Sequence, residues 1–252
     1  MFPKVKILNL EILSISKHEL LSNLEQGVLF TPNVDHLIKL QKNKEFYKVY
    51  KEAEWVICDS TILHLTSRLL GSKIKEVISG SDFFPEYCNF HKNNEAVKIF
   101  LLGAAPGIAE IAKQKINNRI GRNIIVGAHS PSFGFDKNIR ECSEIVDMIN
   151  QTDATVLMVG VGAPKQEKWI IEHKRSLNRI RLFMGLGATI DFEAGNKKRA
   201  PKIFKKLCLE WFYRMMKEPN RLIKRYILDD LPYFYFIFKQ KIGKYSNPFE
   251  EF

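Results

Sequence analysis

Six short apolar runs recur along this chain: Gly27 to Thr31, Trp55 to Cys58, Val97 to Leu102, Ile124 to Gly127, Thr155 to Val159 and Leu182 to Met184. Longer amphipathic stretches separate them. A strand covered on both faces needs a continuous apolar run, and parallel neighbours need a crossover of a dozen or more residues between them. The spacing therefore predicts an α/β fold, a Rossmann-like, mostly parallel sheet with helices on both faces. One crossover, Val34 to Tyr50, reads as a helix in which Leu37, Leu40 and the Phe46, Tyr47 and Tyr50 group share a face.

The 252 residues are enough for a full core, and the charge is unevenly spread over them. Residues 196 to 245 hold fourteen Lys and Arg against four Asp and Glu, whereas residues 1 to 195 are nearly balanced, twenty-five against twenty-two. The basic tail also carries Trp211, Phe212, Tyr213, Tyr226 and the cluster Tyr233-Phe234-Tyr235-Phe236-Ile237-Phe238. We divide the chain at this change, into a core over 1–195 and a C-terminal helical, basic and aromatic appendage over 196–252. Interleaved cations and aromatics suit an anionic membrane surface. Nucleic acid is the rival partner, and packing of the aromatics on the core is the third reading.

Cys58, Cys88, Cys142 and Cys208 are scattered with no Cys-x-x-Cys pair, which points away from a zinc site or a disulfide framework and toward a reducing cytoplasm. No segment reaches the roughly 18 to 20 apolar residues of a spanning helix, so membrane contact is expected to be peripheral. The six histidines are dispersed and no Asp-x-Asp is present, so no metal site is expected. His36 reads as a helix-surface histidine.

In a parallel sheet the carboxyl ends of the strands gather along one edge, where ligands bind. Three turns at that edge carry polar groups or glycines beyond what a core requires. Ala154 to Val159 runs into Gly160-Val161-Gly162-Ala163-Pro164-Lys165-Gln166-Glu167, where backbone N–H groups at a helix start would seat a diphosphate and Pro164 would occupy the first helical position. Phe30 is followed by Thr31-Pro32-Asn33, and Cys58 by Asp59. Thr31, Asn33, Asp59, Gly103 and Gln166 would then face one crevice. Each has a plainer reading, since Thr31, Asn33 and Asp59 are also good helix caps. Glu167 fits either a ligand-binding carboxylate or half of an ion pair with Lys165 or Lys168. The turn at Gly103 to Gly107 lacks the Gly-x-Gly-x-x-Gly spacing of a dinucleotide fingerprint. A Rossmann-type cofactor enzyme and a non-catalytic membrane or nucleic-acid module remain the alternatives.

Taken together, Thr31-Pro32-Asn33-Val34-Asp35-His36, Cys58-Asp59, Gly80-Ser81-Asp82, Leu101-Leu102-Gly103 with Pro106-Gly107, Gly160 to Trp169, Gly185-Leu186-Gly187-Ala188 with Asp191-Phe192, and Glu218-Pro219-Asn220-Arg221 resemble the WecG/TagA/CpsF glycosyltransferases. The resemblance implies an inverting enzyme on the cytoplasmic face of the membrane. Its implied reaction moves an N-acetylmannosamine-type or related hexose from a UDP-sugar to a polyprenyl diphosphate-linked acceptor in surface polysaccharide synthesis. It implies Asp59 as catalytic base, with Thr31, Asn33 and Gln166 lining the sugar-nucleotide pocket; Gly103, Gly160, Gly162, Pro164, Glu167 and Asp191 complete the residues expected around the substrate. The appendage would dock on the membrane and supply Arg214, Arg221 and Arg225. No cofactor, metal or nucleic acid is called for, and monomer and homo-oligomer both stay open. Two positions depart from the family pattern: Ser60 stands where a glycine is usual, and Val77 where an arginine is common, which leaves Lys73 or Lys75 to compensate.

Overall fold

The computed structural model describes residues 2–197, 204, 213, 216 and 230–250. All six apolar runs are strands: β3 (Gly27–Phe30), β4 (Trp55–Val56), β5 (Ile99–Gly103), β6 (Ile125–His129), β7 (Val156–Gly160) and β8 (Leu182–Gly185). They form one parallel sheet in the order β4-β3-β8-β7-β5-β6. Every residue of β5, β7 and β8 is buried, as their unbroken apolar sequences require of central strands covered on both sides. An antiparallel hairpin, β1 (Lys4–Ile7) and β2 (Leu10–Leu13), precedes the sheet and meets it through a parallel bridge from Leu13 to Ile57.

Helices cover both faces. On one side α2 (Val34–Lys42), α3 (Lys44–Lys51), α7 (Ile139–Asn150) and α8 (Lys165–His173) bury Leu37, Phe46, Ile145 and Trp169 in one cluster with Phe30, Phe100 and Phe183. On the other, α1 (Lys17–Asn23), α5 (Gly80–Phe90), α6 (Ile108–Ile120) and α9 (Thr189–Ala194) bury Leu20, Phe83, Ala109 and Ile190 against Leu101, Met158 and Met184. Each fully buried side chain of this size contributes about 1.5–3 kcal/mol. The stretch Val34 to Tyr50 is two helices instead of one. Asn43 closes α2 and, by accepting from Phe46 N at 2.9 Å, caps α3 in an extended conformation. Asparagine competes well for such a cap and poorly for a helix interior.

Helix α4 (Thr61–Leu69) follows β4, and α10 (Pro232–Lys241) lies in the C-terminal part of the chain. Tyr233 and Ile237 of α10 are buried in the first cluster, and Tyr233 Oη donates to Thr66 Oγ1 at 2.9 Å. Gln240 ties α10 to the hairpin, accepting from Leu8 N at 2.8 Å and donating to Lys6 O at 3.1 Å. Packing on the core therefore accounts for Tyr233 and Ile237, whereas Phe234, Tyr235 and Phe238 of the same helix are exposed.

The chain leaves β5 toward β6 on one side and β7 toward β8 on the other. At such a reversal the flanking helices diverge, and a crevice opens at the carboxyl ends of the two strands.

Candidate active site

That crevice is a cavity of about 760 Å³, within the range that holds a small-molecule substrate. The turns after six parallel strands contribute to it. Thr31, Asn33 and His36 come from the β3–α2 turn and the start of α2, and Asp59 follows β4. Ala104 to Pro106 follow β5 and Pro131 to Phe135 follow β6; Gly160 to Ala163 with Lys165 and Gln166 follow β7, and Leu186 to Thr189 with Asp191 follow β8. Ser79, Gly80 and Ser81 add the start of α5. The N-terminal ends of α2, α5, α8 and α9 thus converge on one volume. Their aligned dipoles favour a negatively charged ligand there.

Glycine is required where the turns stack. A Cβ on Gly103, whose φ is +142°, would lie 2.5 Å from Gly160 O, and one on Gly160 would lie 2.5 Å from Gly187 O. Three strand ends approach so closely that only hydrogen fits between them. Gly103 itself does not line the cavity; its neighbour Ala104 does, held at φ +62°, a left-handed conformation uncommon for residues with a side chain. The function of Gly103 here is close packing, and the cavity wall after β5 is formed by the residues that follow it.

Gln166 holds the next layer. Its Oε1 accepts from Gly162 N at 3.2 Å and from Gly187 N at 3.1 Å, joining the turns after β7 and β8, and its Nε2 donates to Glu167 Oε1 at 2.8 Å. The Gly162 N–H, expected from the sequence to receive a diphosphate, is committed to this carboxamide. Pro164 is the residue before α8 instead of its first, and it does not line the cavity.

Glu167 is fully buried and also lies behind the cavity wall, so neither sequence reading of it holds. Lys165 pairs with Asp136 at 3.3 Å and Lys168 with Glu45 at 2.9 Å. Burial raises the Glu167 carboxyl to about 7, against the smaller opposing pull of the Gln166 amide. Its Oε2 has no hydrogen-bond partner among the described residues. Glu167 orients Gln166, and Gln166 fixes the two glycine turns.

Asp59 is not the cap of α4. Ser60 occupies that position, without a side-chain capping bond, and Asp59 Oδ1 instead accepts from Gly80 N, the first residue of α5, at 3.2 Å. The carboxylate is thereby tied to the start of α5 in the cavity wall. Asn33 does cap, its Oδ1 accepting from His36 N at 3.2 Å, and Thr31 donates weakly to Gly185 O at 3.5 Å. Asp191 accepts from Asn196 Nδ2 at 2.7 Å.

Of the sequence candidates, Asp59, Thr31, Asn33, Gly160, Gly162, Gln166 and Asp191 line one cavity, and Gly103, Pro164 and Glu167 support it from behind. Arg214, Arg221 and Arg225 lie outside the described residues. Among the described residues the cations of the lining are Lys39, Lys165 and Lys197. Lys73 and Lys75, the candidates to replace an arginine at Val77, do not reach the cavity, and Lys75 pairs with Glu19 at 2.7 Å. Sequence reasoning missed His36, which is 6% exposed and faces the cavity instead of solvent. It also missed Phe133, fully exposed at the rim with Lys165 Nζ 4.9 Å from its ring centre. A signal for His36 was present, since it lies three residues after a capping asparagine and one before Leu37 on the inward face. Among the described residues no group of three or more His, Cys, Asp or Glu side chains is arranged to hold a metal, and no helix is long and apolar enough to cross a membrane.

The Glycosyl transferase WecG/TagA/CpsF family matches this chain over residues 5–247, nearly its whole length, and the chain belongs to that family. It is a glycosyltransferase, of a family that acts in surface polysaccharide synthesis.

Proposed function

We propose that this glycosyltransferase inverts the anomeric centre as it moves an N-acetylmannosamine-type or related hexose from a UDP-sugar to a polyprenyl diphosphate-linked saccharide, with Asp59 as the base. The observation that carries this reading is the meeting of Asp59, Thr31, Asn33 and Asp191 in one cavity ringed by helix N-termini. The Asp59 carboxylate takes the proton of the acceptor hydroxyl as its oxygen attacks the anomeric carbon from the face opposite UDP. The bond from that carbon to the β-phosphate oxygen breaks, and the charge left on UDP falls where the helix starts and lysines already favour an anion. The reaction in this proposal runs without a metal, and Arg214, Arg221 and Arg225 add cations from the tail.

The acceptor's lipid accounts for a membrane-facing surface at the cytoplasmic side. Leu231, Phe234, Tyr235, Phe238 and Ile242 are exposed at helical spacing along α10, beside the exposed Leu65 and Leu69 of α4. Lys239 lies over the Tyr235 ring at 5.0 Å and Lys241 follows it. An apolar stripe bordered by cations fits an anionic bilayer surface.

The test is to incubate purified protein with a panel of UDP-sugars and lipid-linked N-acetylglucosamine diphosphate and to weigh the products. A gain of one hexose residue names the donor, and no gain with any member of the panel refutes the reading. Asp59→Asn should abolish transfer while UDP binding survives; full activity in that variant removes Asp59 from the role of base.

A further inference from the structure

Phe133 is a fully exposed ring at the rim of the cavity, on a turn that is otherwise held fast. Pro131 before it and Phe135 after it are buried, and the Phe135 ring packs 6.2 Å from Trp169. Ser132 donates both its N–H and its hydroxyl to Glu141, at 2.8 and 2.6 Å from the two carboxylate oxygens, and Gly134 turns the chain at φ +84°. Lys165 ties the turn to the start of α8, its Nζ lying 4.9 Å from the centre of the Phe133 ring and 3.3 Å from Asp136. Keeping a ring of this size in water forgoes the stabilisation that burial gives. The turn nevertheless displays it, secured on both sides.

Its place along the sheet points to what covers it. Phe133 follows β6 and its ring meets Lys165, which follows β7, so it stands on the β7, β5 and β6 side of the cavity; Asp59 follows β4, at the other end of the strand order. Between β4 and β7 lie three strand spacings, about 14 Å. Along that span the starts of α2, α9 and α8 follow the ends of β3, β8 and β7. A sugar nucleotide with its anomeric carbon at Asp59 therefore extends its diphosphate along those helix starts and its base toward Phe133. An aromatic ring beside an edge that favours anions matches a base joined to phosphates, whereas a lipid chain gains nothing from the neighbouring ammonium. We propose that Phe133 is a nucleobase-stacking residue of the donor site, the ring face away from Lys165 receiving the uracil of the UDP-sugar. The proposal rests on the UDP-sugar reading above. Stacking on a ring already held in place needs little ordering when the ligand enters.

Equilibrium binding of UDP, UDP-N-acetylglucosamine and inorganic diphosphate to the full chain tests it, together with magnetisation transfer from the protein to the uracil H5 and H6 protons. Phe133→Ala should weaken UDP and the sugar nucleotide alike by about tenfold, leave inorganic diphosphate unchanged and reduce the transfer to the uracil protons. Phe133→Trp should hold UDP at least as tightly as the parent, and both variants should keep the parent's Tm because the ring is exposed. A parent that binds UDP and an alanine variant that binds it equally well overturn the stacking alone. Equal losses for UDP and inorganic diphosphate also overturn it, and assign the effect to the phosphate site beside Lys165. Unchanged UDP binding with slower turnover of the lipid-linked acceptor assigns Phe133 to the acceptor instead. A parent that binds inorganic diphosphate but neither uridine nucleotide fails the UDP-sugar reading and the stacking together.

Discussion

Glu167→Gln should make this protein more stable above neutral pH, an unusual outcome for a change at a fully buried position. The Glu167 carboxyl titrates at about 7 in the folded chain against 4.5 when unperturbed. Between those values the folded state holds a proton that the unfolded state has released, so stability falls as pH rises through that window. The stabilising difference is complete below about 4.5 and lost above about 7. A displacement of this size corresponds to roughly 3 kcal/mol, which for a chain of this length is about 6–12 °C in Tm. Glutamine keeps the shape, and its Oε1 can still accept from Gln166 Nε2, so the link to Gly162 and Gly187 survives. Burial lowers His64, His91 and His173 from their ordinary value, which acts on stability in the opposite sense. The difference between variant and parent cancels them. Chemical denaturation at pH 4.5, 6 and 8 should therefore show little difference at the lowest pH and a variant more stable by up to about 3 kcal/mol at the highest. A variant less stable than the parent at pH 8, or a difference that does not change with pH, refutes the reasoning. Glu167→Leu serves as the contrast, since it removes the acceptor for Gln166 and should lower transfer activity even where the chain stays folded.

Gly103→Ala should cost about 3 kcal/mol, because its methyl would sit 2.5 Å from Gly160 O at a φ that alanine avoids; a Tm within 2 °C of the parent would contradict the close stacking. Chelation with EDTA should leave sugar transfer unchanged, as measured by product mass, and loss restored by added Mg²⁺ would overturn the metal-independent proposal. Replacing Phe234 and Phe238 together with serine should leave Tm nearly unchanged, because both are exposed while Tyr233 and Ile237 face the core, yet should abolish co-sedimentation with vesicles containing anionic lipid. Retained sedimentation would move the membrane-facing surface elsewhere.

The sheet was legible because its central strands are covered on both faces, and that demand writes itself into sequence as uninterrupted apolar runs. The hairpin was less so. Lys4-Val5-Lys6-Ile7 alternates exposed and buried residues, but four residues are too few to separate a strand from chance. The break at Asn43 escaped because the apolar face of Val34 to Tyr50 continues across it in period, and one cap outweighs that continuity locally. At the site, the turns bearing Asp59, Thr31 and Asn33 were legible because strand ends must collect at one edge. The division between residues that face the cavity and residues that stand behind it was not. Gly103 and Gly160 look alike in sequence, and only the order of the strands decides that the first is packed beneath the second. Glu167 and Lys165 are two apart on the same helix, which puts them about 200° around its axis from one another; one is enclosed and the other reaches the rim.

This division explains why so conspicuous a segment as Gly160 to Glu167 offers few side chains to a ligand. Gly160 brings the β5, β7 and β8 turns together, and Gly162 and Gly187 give their N–H groups to Gln166, which Glu167 holds in register. The segment therefore acts as a frame, and the polar groups it frames come from other turns: Asp59 on the α5 start, Asn33 and His36 at the α2 start, and Asp191 in α9. A frame of backbone and buried carboxamide has no surface charge to screen and few rotamers to lose, so it can hold groups from separate strands at fixed distances without ordering them anew when a substrate enters. In the transfer proposed above, which needs a base on one side of an anomeric carbon and a diphosphate site on the other, that fixed separation would be what the fold contributes to the rate.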